Sequence, residues 1–391
     1  MRHWLLPEYV EDVLPEEAER VERLRRLLLD LFQARGHELV IPPMIEYLES
    51  LLTGTGHDLD LDTFKLVDQL SGRLLGVRAD ITPQVARIDA HLLNRAGVTR
   101  LAYCGTVLHA QPPTLSHHSR ELLQIGAEIF GHAGVESDVE IQRLMLDALA
   151  AAGVDGVHLD VGHVGLFRAL CRHGGVDAAL ERDLFRALQG KDVPGLRQLT
   201  AGLPGRTREA LLLLPELFGG PEVLERARRG LPDHPEVEAC LAQLERIAES
   251  LSSRVGELLV DLAELRGYEY HSGVVFAAYA AGGHDAIARG GRYDDVGRAF
   301  GRARPATGFS LDLRELAQVA RLPPRARPVR APLRDGDAAL QREIEALRRA
   351  GEVVIVELPG EREAAGGGPV ARELCLVEGR WRVVERADVA N

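Results

Sequence analysis

Histidine pairs are the residues of this sequence whose type and spacing come nearest to a metal site. His117 and His118 are adjacent, and His158 is followed five positions later by His163. Zinc sites need about three or four ligands in motifs of fixed spacing, and two histidines at either of these spacings do not form such a motif. The sequence therefore predicts no metal site.

Motifs that cradle phosphates or expose a nucleophile are also lacking. Gly190-Lys191 has no upstream glycine to complete a phosphate-binding loop, and Gly54-Thr55-Gly56 is a fragment more typical of a plain turn than of a dinucleotide site. No serine stands in a G-x-S-x-G elbow. General motifs thus name no reaction, no catalytic residue and no cofactor.

The elements that would position a site alternate between helix and strand. Apolar residues at helical spacing follow Pro15 and end before Gly36, which predicts a first helix. Further helices are predicted over 80–93, 139–151, 207–214, 236–251 and 338–350. Strands are predicted over 39–41, 74–77, 100–107, 122–130, 156–161, 268–279, 285–288 and 353–356.

The loops and the Gly and Pro breaks between these elements indicate the domain organisation of the chain. The strands 100–107 and 122–130 flank a Pro/Ser/His-rich loop and predict a long antiparallel hairpin. Residues 166–255 alternate helical stretches with Gly and Pro breaks, and we interpret them as a helical insertion. A Pro/Arg-rich linker over 322–332 precedes a small C-terminal α/β domain over 333–391, with a Gly-rich loop at 366–368 and a hairpin turning at Glu378-Gly379.

Composition limits the partners and the compartment. The 391 residues include 47 Lys and Arg against 59 Asp and Glu, a net charge of −12 that disfavours binding to polyanions. Four scattered cysteines without a CxxC pair predict buried free thiols in a reducing cytosol. Neither a signal peptide nor an uncharged apolar run of about 18 residues is found. The sequence therefore predicts a soluble, cytoplasmic protein without nucleic-acid or membrane partners.

Six segments, taken together and in order, carry a family resemblance. They are 12–17 (DVLPEE), 36–46 with its Pro42-Pro43-Met44-Ile45-Glu46 end, 78–83 (RADITP), 120–128 (RELLQIGAE), 266–273 (RGYEYHSG) and 290–294 (GGRYD). Over roughly residues 8–320 the chain resembles the catalytic domain of histidyl-tRNA synthetase. The resemblance implies an α+β fold, with a class II aminoacyl-tRNA synthetase-like antiparallel sheet flanked by helices, formed by residues 1–165 and 256–320.

The resemblance also implies a histidine-binding site. Its residues are Asp80, Thr82, Gln124, Glu128, Arg266, Tyr270 and His271. Asp80 and Thr82 match the positions that hold the α-amino group, which fits because an ammonium is bound by a carboxylate and neutral acceptors. Glu128 matches the acid that contacts the imidazole, and Arg266 matches an arginine that can meet a carboxylate. His271 replaces the second of two neighbouring tyrosines.

Simpler interpretations of the same residues remain open at this point. Gln124 and Glu128, four apart, also fit the exposed face of an amphipathic strand. Arg266 with Glu264 also fits a surface ion pair, and Gly290-Gly291 an ordinary turn. The joint occurrence of these segments in the family's order favours the family's fold over these simpler interpretations.

The two arginines with which the synthetases bind ATP phosphates are replaced. His109 stands at the arginine of the F-R-x-E sequence, and a mostly neutral imidazole cannot supply the fork of a guanidinium. Glu315 stands at the arginine of the G-L-E-R sequence, and Arg314, about 100° around the helix, is expected to face elsewhere. Each lost contact is worth about 1.5–3 kcal/mol, so activation of an amino acid by ATP should be crippled.

The chain with these losses resembles the family of regulatory subunits of ATP phosphoribosyltransferase. Only 59 residues follow the linker, and residues 321–391 carry 13 arginines against 12 acids, so an anticodon-binding domain is poorly supported. The resemblance implies a non-catalytic subunit, required with a short-form catalytic subunit for the first step of histidine biosynthesis and for its feedback inhibition by histidine. We expect a homodimer through residues 36–46 within a hetero-oligomer, with histidine as effector.

Two alternatives belong to other functional classes. The chain could be an active or divergent class II histidine-activating ligase, which histidine-dependent ATP–pyrophosphate exchange would reveal. It could also be a histidine- or nucleotide-binding module outside this pathway, which co-purification with a small phosphoribosyltransferase would contradict.

Overall fold

The computed structural model describes residues 5–53, 57–111, 119–265, 267–268, 270–361 and 372–385. Helices α1 to α13 occupy Pro15–Ala34, Leu48–Leu51, His57–Asp62, Thr82–Arg87, Val135–Ala151, Val164–His173, Ala178–Gln189, Val193–Leu199, Gly205–Leu213, Val223–Gly230, Pro235–Leu251, Leu313–Val319 and Ala338–Arg349. Strands β1 to β16 occupy Glu38–Leu39, Ile45–Tyr47, Phe64–Val67, Leu74–Val77, Thr99–Leu108, Glu121–Phe130, His158–His163, Phe218–Gly219, Glu257–Asp261, Val274–Tyr279, Ala286–Arg292, Ala306–Asp312, Val329–Ala331, Val354–Val356, Arg372–Val377 and Arg380–Glu385.

A nine-stranded, mostly antiparallel sheet forms the centre of the first of two compact units, Met1–Leu322. Its order is β1-β5-β6-β12-β11-β10-β7-β9-β8, and only the pairs β1–β5 and β7–β9 are parallel. The long hairpin β5–β6 is paired from Thr99 and Phe130 to Leu108 and Glu121, so this prediction is confirmed. The predicted α+β class is confirmed as well.

Alternation along β6 divides the two faces of this sheet. Ile125, Ala127 and Ile129 are buried on the face that α1 and α5 cover, whereas Gln124 and Glu128 lie on the other face. Helix α1 contributes Phe32, whose ring packs edge-on against Phe309 with centroids 5.8 Å apart. The alternation therefore leaves one face of the sheet free to carry polar side chains.

The helices α6 to α11 follow β7 and lead back to the sheet at β9. They bury their apolar faces in the same core as the sheet, through residues such as Phe167, Leu184, Leu211 and Leu244. Among the helices that the structure describes, none is both long and apolar enough to cross a membrane. All four cysteines lack a disulfide; Cys171 and Cys240 are buried, and Cys104 and Cys375 are half-buried.

Three segments differ from the sequence predictions. The strand predicted over 268–279 begins only at Val274, because a turn starts at Gly267, which has a φ of +66°. The carbonyl of Gly267 accepts the N–H groups of Tyr270 and His271. The strand predicted over 285–288 continues to Arg292, so Gly290-Gly291 lies in β11 and not in a turn. In addition, the helix predicted over 80–93 becomes a π-helix at Ile88–Leu93.

The second unit, Pro323–Asn391, has its own sheet and core. The sheet order is β14-β13-β15-β16, and β13 lies inside the segment predicted as a linker. Helix α13 places Leu340 and Ile344 in the same apolar cluster as Trp381. The predicted hairpin is confirmed, with Glu378 and Gly379 at positive φ between β15 and β16, as a two-residue type I′ turn requires. The Gly-rich loop at 366–368 lies outside the described residues.

Candidate functional site

A cavity of about 160 Å³ opens on the polar face of the large sheet. It is lined by Asp80, Thr82, Glu128, Tyr270, His271, Arg289, Gly290, Gly291, Tyr293, Gly308, Phe309 and Ser310. Strands β6, β11 and β12, the start of α4 and the turn after Gly267 each contribute to this lining. Segments that are far apart in sequence thus meet around one small polar space.

Glu128 is the buried acid of this cavity, with 1% of its surface exposed. The hydroxyl of Tyr103 donates to Oε1 at 3.0 Å, and the hydroxyl of Tyr293 donates to Oε2. The hydroxyl of Thr82 lies 2.9 Å from Tyr103 Oη, and either oxygen can be the donor in that pair. Burial raises the pKa of Glu128 to about 8, although both phenols act to lower it.

Asp80 lies at the start of α4 and is held in place by local bonds. Its Oδ1 accepts the N–H of Thr82 at 3.0 Å and the amide of Gln124 at 2.8 Å. Gln124 also accepts the N–H of Ile81 at 2.9 Å and donates to Ser310 Oγ at 3.2 Å. The amide of Gln124 therefore connects the carboxylate of Asp80 to strand β12.

Tyr270 and His271 reach the cavity from the turn after Gly267. Arg168 on α6 fixes this turn by donating to the carbonyls of His271 at 2.8 Å and Tyr268 at 2.5 Å. The Tyr270 ring lies 5.0 Å from that of Tyr293, and its buried hydroxyl has no hydrogen-bond partner among the residues that the structure describes. A buried donor without a partner is costly in water-free surroundings, so a ligand that supplies an acceptor or donor there would be stabilised.

Glycines keep the floor of the cavity open. A Cβ atom at Gly308 would overlap Glu128 Oε2 and approach the carbonyl of Ala127 at 2.8 Å. A Cβ atom at Gly291 would stand 2.6 Å from His271 Cδ2. Space for a ligand next to Glu128 therefore depends on the absence of side chains at these two strand positions.

The structure brings most of the predicted histidine-binding residues together. Asp80, Thr82, Glu128, Tyr270 and His271 line the cavity, and Gln124 is bonded to Asp80 beside it. Arg266, also predicted, lies outside the described residues. Burial of Glu128 contradicts the interpretation of its strand as an exposed amphipathic face.

Sequence reasoning missed Tyr103, Tyr293 and Arg289 as members of the site. The usable signal was Gly126, whose missing Cβ makes room for Tyr103 on the neighbouring strand, where a Cβ would stand 2.5 Å from Cζ. Tyr293 belongs to the segment 290–294, but its bond to Glu128 depends on the tertiary structure. Arg289 precedes that segment, and its place on the sheet face of Glu128 depends on the strand register.

His109 and Glu315 occupy the two positions at which the family resemblance implies phosphate-binding arginines. His109 follows β5, and its Nε2 lies 3.1 Å from the carbonyl oxygen of Ala79. Glu315 lines a second cavity of about 700 Å³. The acidic residues in the described lining of that cavity are Glu11, Glu17, Asp285, Asp312 and Glu315. A group of five carboxylates around one cavity repels a polyphosphate.

Arg314 lines the same second cavity, so the prediction that it faces away from Glu315 is wrong. The guanidinium is nevertheless engaged: it donates to Glu11 at 2.8 Å, to the carbonyl of Glu121 at 3.1 Å and to Ser119 Oγ at 3.3 Å. Arg314 thus ties helix α12 to the N-terminal segment and to β6.

The histidine pairs form no metal site in the part of the chain that the structure describes. His163 is buried and bonded to Gln243 and to the N–H of Gly165. His158 lies 3.3 Å from Glu257. His117 and His118 lie outside the described residues.

Comparisons with known proteins agree with this architecture. Residues 9–316 match the family model of histidyl-tRNA synthetase, and residues 326–384 match that of the ATP phosphoribosyltransferase subunit HisZ C-terminal domain. The ATP phosphoribosyltransferase regulatory subunit of Ralstonia pickettii (strain 12J) is 59% identical over 384 residues, 98% of each chain. The chain belongs to the ATP phosphoribosyltransferase regulatory subunit family.

Solved structures are similar over the same length. An ATP phosphoribosyltransferase regulatory subunit/histidyl-tRNA synthetase from Bacillus halodurans C is 28% identical with a TM-score of 0.81, over 94% of this chain and 97% of that one. Histidyl-tRNA synthetase from Nostoc sp. PCC 7120 is 16% identical with a TM-score of 0.77, over 98% and 97%, which shows the fold alone. The predicted class II synthetase-like fold is therefore confirmed, and residues 326–384 match the C-terminal domain of the regulatory subunits.

Proposed function

We propose that histidine binds in the cavity around Glu128 and thereby controls the cytoplasmic ATP phosphoribosyltransferase of which this chain is a regulatory subunit. The observation that carries the proposal is the combination of a preserved amino-acid cavity with replaced phosphate anchors. The cavity keeps Asp80 and Glu128, whereas, by the family resemblance, His109 and Glu315 stand at the positions of the two synthetase arginines that bind ATP. Such a site can bind an amino acid without activating it.

The geometry of the cavity fits the two cationic groups of histidine. The carboxylate of Asp80, oriented by Gln124, is suited to the α-ammonium. Glu128, whose pKa of about 8 leaves it protonated at neutral pH, can pass its proton to an imidazole nitrogen and pair with the resulting imidazolium, and Tyr270 offers its hydroxyl nearby. These contacts support the assignment of Asp80, Thr82, Gln124, Glu128, Tyr270 and His271 as histidine-binding residues, and Arg266 is proposed with them from the family resemblance alone.

The partner in this proposal is a short-form catalytic subunit that joins ATP to phosphoribosyl pyrophosphate in the first step of histidine biosynthesis. Histidine would control that reaction only by binding two states of the complex with different affinity, a coupling of about 1–3 kcal/mol in typical cases. The cavity lies next to the turn that Arg168 fixes, so ligand contacts at Tyr270 and His271 provide a route to helix α6.

A second copy of this chain is the other partner that we propose, at residues 36–46. Leu39, Met44 and Ile45 are exposed in this segment, and Ile41 is 81% exposed. The backbone is nevertheless fixed, because Val40 N–H donates to the carbonyl of Ala102 and Arg78 to that of Pro42. A rigid strip of exposed apolar side chains supports a protein–protein interface.

Two measurements on the purified chain test the histidine site. Calorimetry should detect histidine binding that Glu128→Gln weakens about 10-fold to 100-fold, the range for a lost charge-assisted hydrogen bond. Glu121→Gln, on the same strand but outside the cavity lining, is the matched control and should bind normally. Equal binding by wild type and Glu128→Gln would place the effector elsewhere, and robust histidine-dependent ATP–pyrophosphate exchange would show a ligase instead.

A further inference from the structure

Arg289 stands on the same sheet face as Glu128, as the strand register shows. Glu128 on β6 pairs with Gly308 on β12, which pairs with Gly291 on β11. Two residues along β11, Arg289 pairs with Ser310. Because directly paired residues share a face, Arg289 projects from the face that carries Glu128 and Ser310.

The spacing of these positions suits a ligand of amino-acid size. With neighbouring strands about 4.8 Å apart and about 3.4 Å per residue, the α-carbons of Glu128 and Arg289 are separated by roughly 12 Å. Both residues line the same 160 Å³ cavity. A ligand that contacts Glu128 with one end therefore presents its other end within reach of a long arginine side chain.

The charges at the cavity are arranged asymmetrically. Asp80 and Glu128 supply the carboxyl groups, and Gln124 and Thr82 supply neutral polar groups beside them. Within the described lining, Arg289 is the one arginine or lysine. A zwitterionic ligand with a second basic group would find an acidic partner for each cation and a guanidinium for its anion.

We propose that Arg289 binds the free α-carboxylate of the amino acid, so that the cavity selects an amino acid whose carboxyl group is unmodified. The inference rests on the proposed binding of histidine in this cavity. A guanidinium at this place stabilises a carboxylate and gains nothing from a neutral ester, amide or alcohol. The site would thus recognise the free end product of a biosynthetic pathway and discriminate against derivatives at the carboxyl carbon.

The test compares two ligands on the full chain by calorimetry. Histidinol carries the imidazole and the amino group of histidine but has an alcohol in place of the carboxylate. We expect wild type to bind histidine about 10-fold to 100-fold more tightly than histidinol. Arg289→Gln should lose that preference by weakening histidine alone, and Arg289→Lys should keep part of it. Arg289 is exposed, so thermal unfolding of both variants should match wild type.

The outcomes separate this inference from the proposal on which it rests. Arg289→Gln binding both ligands as wild type does, or weakening both equally, overturns the role of Arg289. Loss of the preference in Arg266→Gln but not in Arg289→Gln assigns the carboxylate to the other arginine and also overturns it. Histidine binding that is insensitive to Glu128→Gln shows instead that the cavity is not the histidine site.

Discussion

At the scale of single residues, the carboxyl group of Glu128 is held away from water by phenol rings. Tyr103 and Tyr293 donate to its two oxygens, and both rings are buried. Desolvation outweighs these two bonds and raises the pKa of Glu128 to about 8, against 4.5 for a free carboxyl. The acid that would contact the ligand is therefore also a source of pH-dependent stability.

Replacing Glu128 by Gln should remove a pH-dependent part of the stability. Because the pKa of Glu128 is raised in the folded state, the folded state binds the proton more tightly than the unfolded state does. The resulting contribution of Glu128 to the free energy of unfolding is complete below about pH 4.5 and is lost as the pH rises through about 8. The wild type should thus lose stability relative to Glu128→Gln across this window, by at most about 5 kcal/mol. Urea unfolding at several pH values measures the difference, and parallel curves for the two proteins would contradict the raised pKa.

Gly308→Ala should close the cavity, because the new methyl group would overlap Glu128 Oε2 in a strand that cannot shift away from its neighbours. We expect histidine binding to fall below detection and the free energy of unfolding to drop by about 1–3 kcal/mol, the usual range for overpacking. The matched control is Gly202→Ala, where no atom lies within 4 Å of the added carbon. Undiminished histidine binding by Gly308→Ala would place the ligand outside this cavity.

The residues that the sequence could predict are those within contiguous motifs. Asp80 and Thr82 fall in one such segment, and Glu128 in another. Tyr103 and Arg289 reach the site only through the pairing of β5 with β6 and of β11 with β12, which single-sequence periodicity does not specify. The unknown strand register, and not the residue types, therefore limited how many site residues the sequence could predict.

At the scale of elements, the predictions held where periodicity was strong and failed where a glycine decides the backbone. The hairpin β5–β6 was predictable from two apolar runs flanking a polar loop. The turn at Gly267 was not, because apolar and aromatic residues after it mimic a strand, whereas its φ of +66° and the bonds from Arg168 bend the chain. This turn delivers Tyr270 to the cavity.

The apolar segment 36–46 should be an interface between two copies of the chain. Ile41→Asp places a charge on its most exposed apolar side chain and should convert the dimer to a monomer, because an unpaired charge is costly to bury. Light scattering coupled to gel filtration measures the mass. Leu358→Asp, at an exposed leucine of the second unit, is the control and should remain dimeric. A wild-type monomer, or a dimeric Ile41→Asp variant, would contradict the assignment.

At the scale of the whole molecule, each of the two units has its own apolar core. The second core includes Leu374 and Trp381, with Arg334 stacked 5.0 Å from the indole ring. Its strand β13 could not be predicted, because three residues among prolines and arginines carry no period of their own. The net charge of −12 agrees with the carboxylate-lined cavity at Glu315, although composition alone could not place those carboxylates.

Leu374→Ala should destabilise the second unit alone, by about 2–5 kcal/mol, because it leaves a cavity in that small core. The chain has two tryptophans, so in a Trp4→Phe background the fluorescence reports Trp381. The urea midpoint of the Trp381 fluorescence should shift to a lower concentration. The urea midpoint of the far-ultraviolet circular dichroism, to which the larger first unit contributes most, should stay unchanged. A joint shift of both signals would show that the units unfold together.

The most direct test of the account is reconstitution with the short-form catalytic subunit of the same organism. Formation of phosphoribosyl-ATP from ATP and phosphoribosyl pyrophosphate should require this chain, and histidine should inhibit it. With Glu128→Gln in the complex, we expect inhibition to need about 10-fold to 100-fold more histidine, whereas Glu121→Gln should behave as wild type. Full activity of the catalytic subunit without this chain, or unchanged inhibition with Glu128→Gln, would contradict the account.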